Sequence, residues 1–239
     1  MFKRTSILYG GLACEKLRNA VVAVCGVGAV GGFAVEALAR LGVQYFYLYD
    51  FDSFEISNIN RQLGALNSTL GKVKVDVQRA RILDINPDAK VEANNVFVDE
   101  HLSREIVSGR PTVIIDAIDT IASKIAIARC AIDAKVPLVS SMGAARRKNP
   151  LEVKTGDIFK TSGCPLASRV RKELRKLRIL QGFKCVYSTE VVDDTTHIKS
   201  DFDNTKVIGS SVIVTGVFGL NLANLALEEI INPVEYKPI

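Results

Sequence analysis

The chain has 239 residues, about half of them apolar and with no low-complexity tract or internal repeat, which fits one large α/β domain and excludes a disordered or solenoid protein. Five cysteines at 14, 25, 130, 164 and 185 form no CxxC pair, so a cysteine-ligated structural zinc is not expected, and their scatter without a signal peptide points to a reducing, cytoplasmic setting. The net charge of +5 hides an asymmetry: residues 144–184 hold 12 Lys/Arg against 3 Asp/Glu, a net of +9, on a chain that is otherwise mildly acidic, so one face is set to meet a polyanion.

Taken in order, residues 9–18 read as a short leading helix. AVVAVCG (20–26) is a continuous apolar run closed by glycine, as a buried parallel strand requires. AVGGFAVEALARLG follows with helical periodicity and stops at Gly42. QYFYLYD (44–50) is a strand ending on an acid, KVKVDVQRARILDIN (72–86) a helix stopped by Pro87, and KVEANNVFV (90–98) a third strand. PTVIIDAID (111–119), the helix SKIAIARCAIDAKV and the strand PLVSSMGA complete an alternation that predicts a Rossmann-like, doubly wound, mostly parallel sheet. Beyond residue 143 the pattern loosens into a strand at 151–158, a basic helix at 165–178 and a strand at 184–191. With no flexible linker in sight, residues 1–143 are expected to form the nucleotide-binding region and residues 144–239 a C-terminal extension of the same sheet and domain. Residues 208–227 carry no charge and are long enough to span a bilayer, but Ser210, Ser211, Thr215, Asn221, Asn224 and the glycines favour a buried core element, so no membrane association is expected.

Gly26, Gly28 and Gly31 form GxGxxG between a strand and a helix. Such a turn bends tightly, lets backbone approach phosphate and offers the free N–H groups of a helix start to an anion. Asp50, closing the next strand, is placed to bond a ribose. The turn itself does not choose between NAD and ATP. The segment after Asp50 does, because it presents Asn58, Arg61, Gln62 and Lys74 at the carboxyl ends of the strands. A hydride-transfer enzyme needs few cations there, whereas cleavage between the α- and β-phosphates must stabilise a departing pyrophosphate. Asp119, at the end of DAID, suits a Mg²⁺ ion held with the phosphates.

GVGAVGG, DFD…SNINRQ, GKVK and DAID resemble the adenylating superfamily that includes the ubiquitin-activating enzymes and the bacterial molybdopterin-synthase and thiamine-biosynthesis adenylyltransferases. The resemblance covers residues 1–143 and implies ATP bound through Gly26, Gly28, Ala29 and Gly31, with Asp50 on the ribose. It further implies Ser57, Asn58, Arg61 and Lys74 on the triphosphate and Asp119 on the metal. Arg4 aligns with an arginine that reaches into a neighbouring subunit's ATP site, which implies a homodimer with Arg4, Arg61, Lys74 and Asp119 as the catalytic set. Ala29 departs from the usual glycine of these relatives, a cost if its φ were positive.

DIFKTSGCPLASRVRKELRK and CVYSTE extend the likeness, and closely resemble the tRNA threonylcarbamoyladenosine dehydratases. That resemblance implies activation of the side-chain carboxylate of a modified adenosine at position 37 of tRNA, then cyclisation. The alternative within the superfamily is an adenylyltransferase for a ubiquitin-like sulfur-carrier protein, and sulfur-relay or electron-transfer partner proteins are compatible with either. The basic stretch after Pro165 favours RNA. As a helix it places Val170, Leu174 and Leu177 on one side and Arg171, Arg175 and Arg178 on another, with Lys172 and Lys176 beside them, a stripe suited to tRNA phosphates. Cys164 and Cys185 are candidates for a transient thioester, or else small core residues.

Overall fold

The computed structural model describes residues 1–192, 197–199 and 206–233. Two short helices, α1 (Lys3–Tyr9) and α2 (Gly11–Asn19), lead into β1 (Val21–Cys25), α3 (Gly31–Leu41) and β2 (Tyr45–Tyr49). Then come α4 (Lys74–Ile85), β3 (Lys90–Asn94), α5 (Glu100–Ser108), β4 (Val113–Asp116), α6 (Ile121–Asp133) and β5 (Leu138–Ser141). The rest of the chain adds β6 (Val153–Asp157), α7 (Pro165–Lys176), β7 (Lys184–Ser188), the short pair β8 (His197–Lys199) and β9 (Lys206–Ile208), and α8 (Val212–Ile231).

Seven strands form one sheet in the order β3-β2-β1-β4-β5-β7-β6. All neighbours are parallel except β6, which runs antiparallel to β7 at the edge. The chain beyond residue 143 therefore continues the sheet. Along β1 the side chains alternate between two cores: Val22 and Val24 pack with α3, α4 and α8, and Ala23 and Cys25 with α5, α6 and α7. Burial on both faces is why these strands are near-continuous apolar runs. Each fully buried Leu or Phe, such as Leu38, Phe46 or Phe218, contributes about 1.5–3 kcal/mol. The uncharged C-terminal stretch is α8, a core helix about two-thirds buried, packed against α3 and the strands β4, β5 and β7.

Several elements end earlier than their sequence pattern. β4 stops at Asp116 rather than 119, because the Asp116 carboxylate accepts the Ile118 N–H at 3.0 Å and turns the chain off the sheet. β3 stops at Asn94 and β7 at Ser188. The leading helix expected at 9–18 is α2, and α1, set off from it by Gly10 at φ 84°, was not anticipated. The basic helix α7 closes at Lys176, so Leu177 is 42% exposed instead of packed, and Arg178 follows in a left-handed conformation at φ 59°. Helix α5 was not anticipated, although Asp99 caps it by accepting the Leu102 N–H at 2.8 Å.

Candidate active site

In a doubly wound sheet the ligand crevice opens where the strand order reverses, outside the carboxyl ends of the central strands. Here β1 lies between β2 and β4, and a cavity of about 940 Å³ sits at that place. Its walls include Gly26, Gly28 and Ala29 from the turn after β1, and Asp50 and Asp52 after β2. Ser57, Asn58, Arg61, Gln62 and Lys74 from the following segment and Asp119 after β4 also reach it. The structure thus gathers the sequence-predicted nucleotide residues, Gly31 lying just behind, into one crevice. A larger cleft of about 1050 Å³ lies at the opposite ends of β4 and β5, but its Arg104 and Arg129 are tied to Glu100 and it has no glycine turn.

The turn itself demands two of its glycines. A Cβ on Gly31 would lie 1.9 Å from the Gly26 carbonyl oxygen, and Gly26 adopts φ 87° with Ala117 O 2.8 Å from any Cβ. Gly28 is different: a Cβ there would meet only Gln62 at 3.5 Å, so packing does not forbid it, and what it would fill is the cavity. Ala29 is not among the positive-φ residues, so its methyl costs nothing.

Asp50 is 9% exposed and accepts the backbone N–H groups of Val27 at 2.8 Å and Asp52 at 3.0 Å. Burial pushes its carboxyl above the ordinary aspartate range, against the pull of those two N–H groups and of Lys74. Lys74 opens α4, is 5% exposed, and its Nζ lies 2.8 Å from Asp52 Oδ2. Asn58 is fixed in a 3-10 turn by a reciprocal cap with Glu55, its Oδ1 accepting the Glu55 N–H at 3.2 Å. Arg61 donates from Nη1 to Ser57 O at 2.7 Å and Asn60 Oδ1 at 2.9 Å, which holds its guanidinium at the rim. The Ser57 hydroxyl lies on the same rim. Asp119 is exposed, with the Thr120 hydroxyl 3.4 Å from Oδ1.

Around the cavity, Ser123, Phe51 and Phe97 were not anticipated, while Gln62 was. Ser123 Oγ and Gln62 Oε1 are buried without a partner, polar atoms that a ligand can satisfy. Phe51 and Phe97 pack edge to face at the mouth with centroids 5.2 Å apart. Beneath the floor, Asp116 Oδ2 accepts Lys124 Nζ at 2.8 Å and Ser140 Oγ at 2.6 Å, with Lys124 and Asp116 each 1% exposed. The signal for that pair was present as one lysine inside the apolar helix IASKIAIARCAID.

Arg4 is exposed on α1 and does not reach the cavity of its own chain. On α7, Lys172 and Arg175 face solvent, Arg175 lying 5.5 Å over the Phe159 ring. Arg171 departs from the expected stripe: it is half-buried and donates to Ile158 O at 3.4 Å and to the Thr161 hydroxyl, so it fastens α7 to the turn before it. Arg178 lies past the helix end. Cys164 and Cys185 are core residues, 4% and 0% exposed and absent from the cavity wall, and burial pushes the Cys185 thiol up to about 12.

A glycine turn on a helix start, the buried carboxylate of Asp50, the cations Arg61 and Lys74 and the exposed carboxylate of Asp119 around one crevice make a site fit for a nucleotide. The chain belongs to the ThiF family, whose model matches residues 2–237. It is 38% identical to the tRNA threonylcarbamoyladenosine dehydratase of Bacillus subtilis, over 100% of this chain and 97% of that protein. It also resembles the crystal structure of Escherichia coli tRNA N6-threonylcarbamoyladenosine dehydratase in complex with ATP, with a TM-score of 0.88 at 32% identity, over 96% of this chain and 93% of that one. The molybdopterin-synthase adenylyltransferase of Salmonella typhimurium is 33% identical, but over only 56% of this chain.

Proposed function

We propose that this protein is an ATP-dependent dehydratase that adenylates the carboxylate of threonylcarbamoyladenosine at position 37 of tRNA and closes it to a cyclic form, releasing AMP and pyrophosphate. The observation that carries this reading is the joint wall of the crevice. The glycine turn and Asp50 form one side, while Ser141 at the end of β5, Gly143 and Ala145 on the loop after it, and Leu166 on α7 form the other. The Bacillus subtilis dehydratase is similar along the whole chain, this second side included, whereas likeness to the molybdopterin-synthase adenylyltransferase covers about half.

The chemistry needs no enzyme nucleophile. A carboxylate oxygen attacks the α-phosphorus, the bond to the bridging oxygen breaks, and pyrophosphate leaves with the electron pair. The carbamoyl nitrogen of the same nucleoside then attacks the acyl carbon, loses its proton, and AMP departs, an intramolecular step favoured by proximity. Asp50 holds the ribose, and the N–H groups of Gly28 and Ala29, beyond the Val27 N–H that Asp50 takes, meet the phosphates. Arg61 and Lys74 meet the charge that develops on pyrophosphate. Asp119 suits Mg²⁺: its carboxylate is exposed in the cavity, and Mg²⁺ needs one or two carboxylates when phosphates and water complete its shell. Among the described residues no cluster of three or more His, Cys, Asp or Glu offers a resident metal site. The ion would neutralise phosphate charge when bound.

We take residues 1–143 as the ATP-binding adenylation region and 144–239 as its tRNA-facing extension, within one cytoplasmic homodimer. Supporting a dimer, α1 buries none of its residues in its own chain and exposes Ile7 and Leu8, each 75%, beside Arg4, which would enter the partner's site. The test is incubation with ATP and tRNA bearing threonylcarbamoyladenosine. AMP and pyrophosphate should appear while the nucleoside loses the mass of one water. Pyrophosphate release driven by a sulfur-carrier protein and not by this tRNA would overturn the reading.

A further inference from the structure

One cation in this fold has no visible reason to be where it is. Arg147 lies on the loop after β5 and is 2% exposed. Its Nη2 donates to Gly163 O at 3.2 Å, while Nε and Nη1 have no partner, and among the described residues it forms no salt bridge. An arginine stays charged when buried, so an unpaired guanidinium in the interior costs several kcal/mol unless an anion joins it. Glu190, whose carboxylate meets the backbone of the next two residues, is already engaged, accepting the N–H groups of Lys148 and Asn149 at 3.0 Å each.

A second feature converges on the same point. Gly163 comes just before Cys164, the N-cap of the 12-residue helix α7. That cap makes no side-chain bond; Pro165 has no N–H and the Ser168 N–H bonds Cys164 O at 3.0 Å, so the Leu166 and Ala167 N–H groups are the ones left uncapped. A bare helix start carries about half a positive charge. Leu166, in the first turn, lines the nucleotide cavity, as do Gly143 and Ala145 from the Arg147 loop. A side chain begun on Gly143 would lie 3.6 Å from Leu166 Cβ, so the loop and the helix start meet at this wall.

We infer that Arg147 and the start of α7 form a carboxylate subsite, which holds one oxygen of the substrate's threonyl carboxylate while the other faces the α-phosphate. This rests on the function proposed above and deepens it. The ligand must be small, because Arg147 is 2% exposed and stands off the cavity wall that Ala145 and Leu166 form, a place for the tip of a flexible amino-acid chain and not for a tRNA backbone phosphate. A hydrogen bond from a guanidinium to a carboxylate oxygen is charge-assisted and strong, and either of the two unpartnered nitrogens, Nε or Nη1, is free to donate it.

The test compares wild type, Arg147→Met and Arg147→Lys on tRNA bearing threonylcarbamoyladenosine, with two competitors: the free nucleoside and its methyl ester, which lacks the charge. Arg147→Met should raise KM for the modified tRNA about 10- to 100-fold, the loss expected of one charge-assisted hydrogen bond. KM for ATP should stay within about twofold, and Arg147→Lys should fall between. The free acid should inhibit wild type better than the ester, and this preference should vanish in Arg147→Met. The melting temperature of Arg147→Met should hold or rise, because an unpaired buried charge has been replaced by an apolar chain. An unchanged KM for tRNA, or an unchanged preference for the acid, overturns the subsite, as does a parallel loss in both KM values with a lowered melting temperature. No pyrophosphate from wild type on this tRNA is a separate failure, that of the proposed function, and removes the subsite with it.

Discussion

Replacing Lys124 by Met tests how the floor of the site is held. Lys124 Nζ sits 2.8 Å from Asp116 Oδ2, and each side chain is 1% exposed. Met keeps most of the volume but leaves the Asp116 carboxylate as an uncompensated charge in the interior. Breaking a buried pair in this way costs about 3–5 kcal/mol. For a chain of this size each kcal/mol lowers the melting temperature by about 2–4 °C, so a fall of about 6–20 °C is expected by calorimetry. Asp116 also accepts the Ile118 N–H at 3.0 Å and so sets the turn that carries Asp119. Turnover at saturating ATP should therefore fall along with stability. The double change Lys124→Met with Asp116→Asn removes the orphan charge and keeps an oxygen for the Ile118 N–H, and should recover more than half of the lost melting temperature. A double variant no more stable than Lys124→Met would refute the reasoning, since the cost would then lie in lost packing rather than in stranded charge.

Arg61→Ala and Asp119→Ala should each lower kcat by about 10²–10³ with little change in melting temperature; wild-type rates from both would mean that the phosphates bind elsewhere. Asp50 is raised by burial, so its contribution to stability is present below the unfolded value near 3.8 and is lost as pH rises through the higher folded value. ATP binding needs the ionised form and should weaken as pH falls, starting above the usual aspartate range; Asp50→Asn, which keeps only one of the two acceptors for the Val27 and Asp52 N–H groups, should flatten that calorimetric profile. Changing Lys172, Arg175 and Arg178 to Glu, with Arg171 kept for its role in holding α7, should make the log–log salt slope of tRNA binding shallower by about 2–3 and leave ATP affinity intact. Equal slopes in a filter-binding titration would clear this helix of RNA contact. Light scattering should find a dimer, and Ile7→Glu with Leu8→Glu a monomer whose turnover falls with the loss of Arg4 in trans; a wild-type monomer at micromolar concentration would remove both claims.

The sheet and its nucleotide turn were legible because they rest on local rules. GVGAVG needs its glycines within six residues, and continuous apolar runs such as VVAVC and VIID follow from burial on both faces. Strand ends were harder, since β4 stops where the Asp116 side chain captures the Ile118 N–H, a contact that apolar patterning does not record. The basic helix misled in one respect. Helical spacing groups Arg171 with Arg175, but the turn before α7 supplies Ile158 O and the Thr161 hydroxyl, and those tertiary acceptors draw Arg171 inward. The Lys124–Asp116–Ser140 contact joins residues 8 and 24 apart, so only the odd lysine in an apolar helix hinted at it.

Arg147 shows why the second half of the site escaped a reading by motif. In the sequence it is one of three consecutive cations, Arg146, Arg147 and Lys148, which read together as part of a solvated basic face. The fold separates them. Lys148 is exposed, Arg146 takes the left-handed conformation at φ 64°, and Arg147 turns inward to 2% exposure. A single charge run thus divides into one side chain in solvent and one in the interior, and only the second can meet a carboxylate away from competing water, where a charged bond is strongest. The ATP side of the crevice is built from backbone, which spacing reveals. The acceptor side is built from a loop and a helix start brought together by β5 and β7, strands more than forty residues apart that pair directly in the sheet. That difference in construction is why a motif exposes the first side and hides the second: the cradle is local, and the opposite wall exists only once β5 and β7 have paired.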